Sequence, residues 1–369
     1  MKATMEEPKS TTGHQAEQDE ETRLQYECEQ ALLRMRFSQP SIEEEWERQE
    51  ARLRAAEQAR KRMQRRRRAW GAAIGIAAMA TLVILFSWRR ETVHGADGII
   101  LCEAQPTTAV TVADDSGNRP ARTTAIRPGQ SPVRQRGAVL SARQADFTQA
   151  QPDSAHTTVV TIPRGTVYQI KLSDGTQVWM NADSRLHFPS RFTGTTREVR
   201  LEGEAYFRVA KDKSRPFIIR AHGVTTEVLG TEFNLRAYPG AEAHVTLVEG
   251  SVKIGMPALG REVTLRPGQD IAYADSGFTI TEVDTRYCAL WKDGRLYFDN
   301  APLKEILHEL GRYYNLTVEM EDDPYLMQTR LHFVADSSET IAHIVENLNL
   351  FEYMSVKLDG KKITVTRKN

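Results

Sequence analysis

The chain has 369 residues and no net formal charge, because 49 Lys and Arg side chains balance 49 Asp and Glu side chains. This length predicts two or three domains, and the balanced charge gives no indication of nucleic acid or an acidic surface as a partner. Three cysteines are too few for a scaffold held together by disulfides. Cys102 and Cys288 could form a bridge in an oxidising compartment, and free thiols are the alternative.

Residues 1–68 begin with a polar tail and continue with two amphipathic helices. Pro40 ends the first helix, and Ser41 with Glu44 forms a capping box that begins the second. A segment this short cannot bury both apolar faces by itself, so we expect the faces to bind a partner protein. A helical hairpin or a homodimeric coiled coil is the alternative. The apolar face that would make the contact comprises Leu24, Leu32, Met35, Ile42, Trp46 and Leu53.

Residues 69–88 read AWGAAIGIAAMATLVILFSW and contain no charged side chain. Such a run in a helix rises about 30 Å, the thickness of the hydrocarbon core of a bilayer, so it predicts one transmembrane helix. A buried core helix and a signal peptide are the alternatives, and they fit this length and position less well. Nine Lys and Arg residues lie in the twenty positions before the run, and only Arg89 and Arg90 lie in the twenty after it. This asymmetry predicts a cytoplasmic N-terminus and an external C-terminal piece.

Residues 89–156 are rich in Thr, Ala, Gln, Pro and Arg and show no sustained apolar period, which predicts a flexible linker. Short alternating strands and Gly-containing turns then predict an all-β domain over residues 157–286, either an irregular β-solenoid or a sandwich. The clearest signal is Asp174-Gly175, a hairpin turn between two alternating segments.

Residues 287–369 have a different pattern, in which strands are interrupted by two amphipathic helices. Pro302 begins the first helix, which has Leu303, Ile306 and Leu310 on one face. The order strand-helix-strand-strand-helix-strand-strand predicts a small α+β domain. The predicted fold class is therefore a multidomain membrane protein: an N-terminal α-helical segment, one transmembrane helix, an all-β domain and a C-terminal α+β domain.

Several blocks of the sequence resemble the FecR family. In the all-β segment these blocks are Ile162–Gly165, Leu172–Asn181, Arg197–Val209, Arg215–Phe217, Val228–Leu235 and Val245–Val252. Leu296–Leu303, together with the α+β pattern that follows, resembles the C-terminal domain of the Bacteroidetes-type members, a short domain of the secretin/TonB type.

The resemblance implies an anti-sigma factor in the inner membrane, crossing it once, with its N-terminus in the cytoplasm and its C-terminus in the periplasm. The cytoplasmic segment is implied to bind an extracytoplasmic-function sigma factor. The periplasmic part is implied to receive a signal from the signalling domain of a TonB-dependent outer-membrane transducer, so that transcription of genes for iron or glycan uptake is regulated. From the residues themselves, which show no metal-ligand spacing, no phosphate loop and no net charge, we expect no cofactor, no metal and no direct contact with nucleic acid.

Several members of this family cleave themselves at a Gly-Thr bond, and Gly230-Thr231 matches that motif. The reaction requires a strained peptide and a nearby base, so that the Thr hydroxyl can attack the preceding carbonyl. His222 and Glu227 lie near Thr231 in the sequence and are the candidates for this base. The alternative is a simple turn between two strands, with Phe233 in the core.

An enzyme acting on a diffusible substrate is disfavoured, because the histidines are scattered without the spacing of a metal site. The alternative function is a membrane-anchored periplasmic binding or adhesion module without a sigma factor partner. Such a module would need only a few basic residues before the apolar run, whereas two capped amphipathic helices precede it here.

Overall fold

The computed structural model describes residues 98–115, 122–151, 157–274, 276–336 and 338–368. All of them belong to the second of the two units into which the chain divides, Thr92–Asn369. The predicted helical segment and the predicted membrane span precede residue 98 and lie outside the described residues.

Eighteen strands of the described chain form two β-sheets that share one long strand, β11. In spatial order, sheet A contains β3 (Arg122–Ile126), β2 (Val110–Asp115), β7 (Thr157–Ile162), β10 (Ser184–Pro189), the first half of β11 (Arg197–Arg208), β12 (Phe217–Ala221), β13 (Val224–Val228), β16 (Val252–Met256) and β17 (Arg261–Leu265). Sheet B contains β4 (Val133–Gln135), β5 (Ala138–Leu140), β6 (Gln144–Asp146), β8 (Tyr168–Lys171), β9 (Gln177–Met180), the second half of β11, β14 (Glu232–Ala237), β15 (Ala243–Glu249), β18 (Gln269–Ala274) and β19 (Gly277–Glu282).

Strand β11 passes from sheet A to sheet B at Gly203. Its residues up to Glu202 pair with β10 and β12, and its residues from Gly203 onward pair with β9 and β14. Gly203 has a φ of +100°, and a Cβ atom there would lie 2.7 Å from the Cα of Ser184. Only glycine fits this crossing point without a shift of the backbone.

The two sheets enclose one hydrophobic core, and we call this body the β-sandwich. Phe207 of sheet B stacks on Phe233 with 5.2 Å between ring centroids, and it lies 6.4 Å from Phe217 of sheet A. These side chains are less than 1% exposed. Alternation along each strand sends one set of side chains into this core and the other set outward, since the side-chain period of a strand is two.

A second core lies between helices and a four-stranded sheet in the order β1-β21-β24-β23. Its strands are β1 (Gly98–Cys102), β21 (Thr317–Glu321), β23 (Met354–Asp359) and β24 (Lys362–Arg367), and β20 (Arg295–Pro302) pairs with β22 (Arg330–Asp336) beside them. The helices are α1 (Leu303–Tyr314), α2 (Pro324–Gln328) and α3 (Ile341–Leu348), and a short 3-10 helix spans Leu290–Asp293. We call β1 and the described residues from 287 onward the α+β part.

Helix α1 confirms the helix predicted after Pro302. Leu303, Ile306, Leu307 and Leu310 all face the second core and are fully buried. The helix ends where Asn315 adopts a left-handed conformation, with φ of +51°, a common way to terminate a helix.

The prediction of a flexible linker over residues 89–156 is wrong for its described residues. Six strands, β1 to β6, lie between Gly98 and Asp146. The first of them contains Cys102, whose thiol is buried and donates to the carbonyl of Leu316. Cys288 donates to the carbonyl of Thr285, and both thiols are free.

The predicted fold class also needs correction. The described chain is mostly β, and none of the helices in its described residues is long and apolar enough to cross a membrane. The structure therefore gives no support to a fold class built around a membrane-spanning helix. The run for which that helix is predicted, residues 69–88, is outside the described part of the chain.

Candidate functional site

The outer face of sheet B is covered by the α+β part. On β14, Phe233 and Leu235 point into the sandwich, so Asn234 and Arg236 point the other way. One part of this outer face is apolar and joins the second core through Tyr206, with Trp179 and Val248 packed against it. The rest of the outer face is polar.

A cleft of about 340 Å³ lies between the polar part of sheet B and the α+β part. Its floor is formed by side chains of sheet B and the turn after β9, namely Asn181, Glu204, Asn234, Arg236, His244, Thr246 and Asp270. Its other wall is formed by the segment before β20, by β20 itself and by α1, including Tyr287, Trp291, Phe298, Glu305 and Glu309. The floor comes from residues 181–270 and the other wall from residues 287–330. The sheet's alternation aims the floor residues at the α+β part.

Glu204 is a carboxylate buried in the floor of the cleft. The side-chain amides of Asn181 and Asn234 each donate to it at 2.8 Å, one to each oxygen. Burial is the main cause that raises the pKa of Glu204 above its ordinary value, and the negative charge of Glu309 adds to it. Arg236 and the two amides act in the opposite direction and do not cancel the effect.

Arg236 links the sandwich to helix α1. Its guanidinium lies 2.7 Å from Glu305 and 4.0 Å from Glu309. Glu309 is also 2.5 Å from Arg312, whose guanidinium stacks 3.8 Å above the ring of Tyr238. A chain of opposite charges and one cation–π contact therefore joins the two parts at the edge of the cleft.

Asp270 accepts two hydrogen bonds in the floor of the cleft. His244 Nδ1 lies 3.0 Å from one carboxylate oxygen, and the Thr246 hydroxyl donates to the other at 2.7 Å. Burial raises the pKa of Asp270, but the contacts with His244 and Thr246 outweigh it, so the pKa lies below its usual range. The carboxylate is thus held in its charged form.

A second interface lies where the chain leaves β1. Gln105 exchanges two hydrogen bonds with Asn315 at the end of α1, at 2.7 and 3.0 Å. Its side chain donates to Asp183, which also pairs with Arg164 at 2.9 Å. Gly165, next to Arg164, donates to the carbonyl of Arg312. The chain between β1 and β2 is therefore held by both the sandwich and the α+β part.

The candidate self-cleavage bond lies between β13 and β14. Gly230 has a φ of +146°, and Thr231 is buried, with its hydroxyl donating to the carbonyl of Ser251 at 3.0 Å. His222 lies in the turn at the opposite end of β13, and the backbone of Glu227 pairs with β12 and β16. The structure does not bring either residue into a hydrogen bond with Thr231.

The other predicted site residues are not described. Leu24, Leu32, Met35, Ile42, Trp46 and Leu53, which form the predicted partner-binding face, precede residue 98. Among the described residues, no group of three His, Cys, Asp or Glu side chains is placed to hold a metal ion.

Sequence reasoning missed the cleft. Its floor residues alternate with core residues along strands, which is also the pattern of side chains that simply face solvent. One sequence feature gave a weak indication of the cleft. Glu204 and Asn234, two polar residues that are buried in the structure, lie inside blocks that resemble a known family.

Most residues of both walls fall within family matches, and Asp270, Tyr287, Cys288 and Trp291 lie between the two matched ranges. Residues 158–253 match the family model described as FecR protein, and residues 295–365 match the model described as FecR, C-terminal. The chain belongs to the FecR family. The cleft therefore lies between the two matched regions of this FecR-family chain.

Two crystal structures from Parabacteroides distasonis ATCC 8503, each of a candidate anti-sigma factor, are similar to this FecR-family chain. The structure at 2.50 Å resolution has 27% sequence identity and a TM-score of 0.53, over 58% of this chain and 100% of that chain. The structure at 1.65 Å resolution has 26% identity and a TM-score of 0.53, over 57% and 99%. No curated protein matches the chain. Membership of this family indicates a regulator rather than an enzyme.

Proposed function

We propose that this FecR-family protein is an anti-sigma factor that binds an extracytoplasmic-function sigma factor through residues 1–68. In this proposal the described unit receives a signal from the signalling domain of a TonB-dependent outer-membrane transducer. The protein acts at the inner membrane, with residues 1–68 in the cytoplasm and the described unit in the periplasm. The distribution of Lys and Arg around residues 69–88 supports this orientation.

The observation that carries the proposal is the position of β1. This strand is the first described element after the N-terminal segment, and it pairs with β21 of the α+β part rather than with the sandwich. The register runs from Gly98 opposite Glu321 to Cys102 opposite Val318. A partner bound to the α+β part would thus act on the element nearest in sequence to the proposed sigma-binding segment.

Signal transfer by this route needs two states of the unit. A transducer can shift their equilibrium only if it binds one state better than the other. The state with β1 paired and Gln105 held by Asn315 is one of them. Release of this connection is the change that would reach residues 1–68.

Sigma factor binding can be tested by co-purification with the full chain, extracted from the inner-membrane fraction. We expect an extracytoplasmic-function sigma factor from the same genome to co-purify with the wild type. Leu32→Asp should abolish co-purification, because it places a charge on the predicted apolar face. Gln30→Asp introduces the same side chain outside that face and should leave binding unchanged.

Two results would contradict the proposal. Absence of the protein from the inner-membrane fraction would exclude the proposed location. Failure of every candidate sigma factor to co-purify with the wild type would favour the adhesion or binding module instead.

Self-cleavage at Gly230-Thr231 remains a prediction. The left-handed φ of Gly230 supports it, because such a backbone conformation is open mainly to glycine. The Thr231 hydroxyl would first have to leave the Ser251 carbonyl. We expect the purified chain to run as two fragments on a denaturing gel and Thr231→Ala to run as one. A wild-type chain that stays intact would refute this part of the proposal.

A further inference from the structure

Among the residues that line the cleft, three have a buried side-chain atom with no hydrogen-bond partner in the described part of the chain. These atoms are Asn234 Oδ1, Arg236 Nε and Trp291 Nε1. Asn234 is 5% exposed and Trp291 is 6% exposed. Proteins rarely leave buried polar groups unpaired, and an isolated case is often explained by an unseen partner. Three such atoms in one cleft indicate a site that is completed by a bound molecule.

The chemistry of these atoms restricts that molecule. Arg236 Nε and Trp291 Nε1 are donors, and Asn234 Oδ1 is an acceptor. A hydroxyl group both donates and accepts, so a molecule with several hydroxyls can satisfy all three. A purely apolar molecule would leave each of them unpaired at a cost in affinity.

The charges around the cleft disfavour an ionic ligand. Carboxylates outnumber guanidinium groups among the lining residues, which disfavours an anion. The carboxylates also have partners within the protein: Glu305 pairs with Arg236, and Asp270 accepts from His244 and Thr246. Because these charges are already compensated, the site does not require a cation.

The α+β wall adds aromatic surface. Tyr287 and Tyr297 pack with 4.4 Å between ring centroids, and Trp291 and Phe298 also line the cleft. Aromatic rings offer apolar faces to the C–H groups of a small ring. The volume of about 340 Å³ is at the small end of the usual range for ligand sites, roughly 300–1,000 Å³.

We propose that this cleft binds a small, uncharged, hydroxyl-rich molecule about the size of one sugar ring. Asn234, Arg236 and Trp291 provide the hydrogen bonds, and the aromatic wall covers the apolar side of the ligand. The site belongs to the described unit and does not depend on sigma factor binding. Because both the sandwich and the α+β part contribute, the bound molecule would also stabilise their contact.

The test is isothermal titration calorimetry on the full chain with glucose and myo-inositol as neutral probes. Glucosamine and gluconate are similar in size but carry a positive and a negative charge. We expect saturable binding of at least one neutral probe, with Kd of about 1 mM or tighter. The charged probes should bind at least about tenfold more weakly, because they bring an uncompensated charge into the cleft.

Trp291→Phe removes the unpaired N–H group and keeps an aromatic ring. It should weaken binding of the neutral probe about tenfold, the effect of one lost hydrogen bond. Arg236→Lys keeps the positive charge opposite Glu305 but removes Nε, so it should also weaken binding of the neutral probe. Trp179→Phe is the matched control, because Trp179 packs against Tyr206 outside the cleft lining. Far-UV and near-UV circular dichroism establish that each variant is folded.

Several outcomes would overturn the proposal. The first is no saturable binding of either neutral probe up to about 50 mM, fifty times the weakest expected Kd. The second is binding of a charged probe alone. The third is unchanged affinity in folded Trp291→Phe and Arg236→Lys, which would locate any binding elsewhere.

Discussion

At the scale of single residues, Glu204 has an unusual position for a carboxylate. It lies at the interface of the sandwich with the α+β part, and its pKa is raised mainly by burial. In the folded protein it therefore keeps a proton at pH values where the unfolded chain has lost it.

This raised pKa predicts a pH-dependent stability. The contribution of Glu204 is fully present below its unfolded pKa and is lost as the pH rises through the folded pKa. Glu204→Gln mimics the protonated form, so the variant should match the wild type near pH 4 and become the more stable protein as the pH rises to about 8. Urea unfolding at several pH values measures the difference.

Glu202→Gln is the control for this comparison. Glu202 lies two residues away on β11, is partly exposed and pairs with Arg185 and Arg200. Exposed pairs contribute about 0–1 kcal/mol, so this substitution should leave the pH dependence unchanged. A stability difference between Glu204→Gln and wild type that does not change with pH would contradict the assignment of a raised pKa.

At the scale of elements, β11 holds the two sheets together, and Gly203 permits its crossing. Gly203→Ala should destabilise the unit by about 2–4 kcal/mol, because the new Cβ meets the backbone of Ser184 and the φ is unfavourable for alanine. Gly255→Ala is the control: it lies in β16, and its Cβ would have no neighbour closer than 3.8 Å. Its effect should stay within about 1 kcal/mol. Equal denaturation midpoints for the two variants would refute this role of Gly203.

The length and the alternation of each strand decide whether it can be predicted from the sequence. The hairpin at Asp174-Gly175 is confirmed as β8 and β9, because both strands alternate clearly and the turn residues are specific. In contrast, β4, β5 and β6 have three residues each, too few for a period of two to be recognised. These strands form because neighbouring strands supply their hydrogen bonds, and the local sequence gives no information about those neighbours.

The cleft could not be predicted for a related reason. Asn234 and Arg236 have the spacing of outward-facing strand residues, and sequence alone does not say what covers an outer face. The covering residues, such as Trp291 and Glu305, follow more than fifty positions later. Family resemblance indicated the two regions, but it did not indicate that their interface encloses a polar cavity.

At the scale of the whole molecule, the two cores do not follow one another along the chain. The α+β part takes one strand from the start of the unit, β1, and its remaining elements from the end. The sandwich occupies the residues between them. In this respect the sandwich is inserted into the α+β part, although the sequence predicts two consecutive domains.

This insertion has a consequence for the order of folding. The contact between Cys102 and Leu316 spans 214 residues. Closing so long a loop in an unfolded chain has a large entropic cost, which falls once the intervening residues are compact. The sandwich should therefore form first, and the pairing of β1 with β21 should be among the last steps. The segment nearest the proposed sigma-binding end would then be the last to join the folded unit.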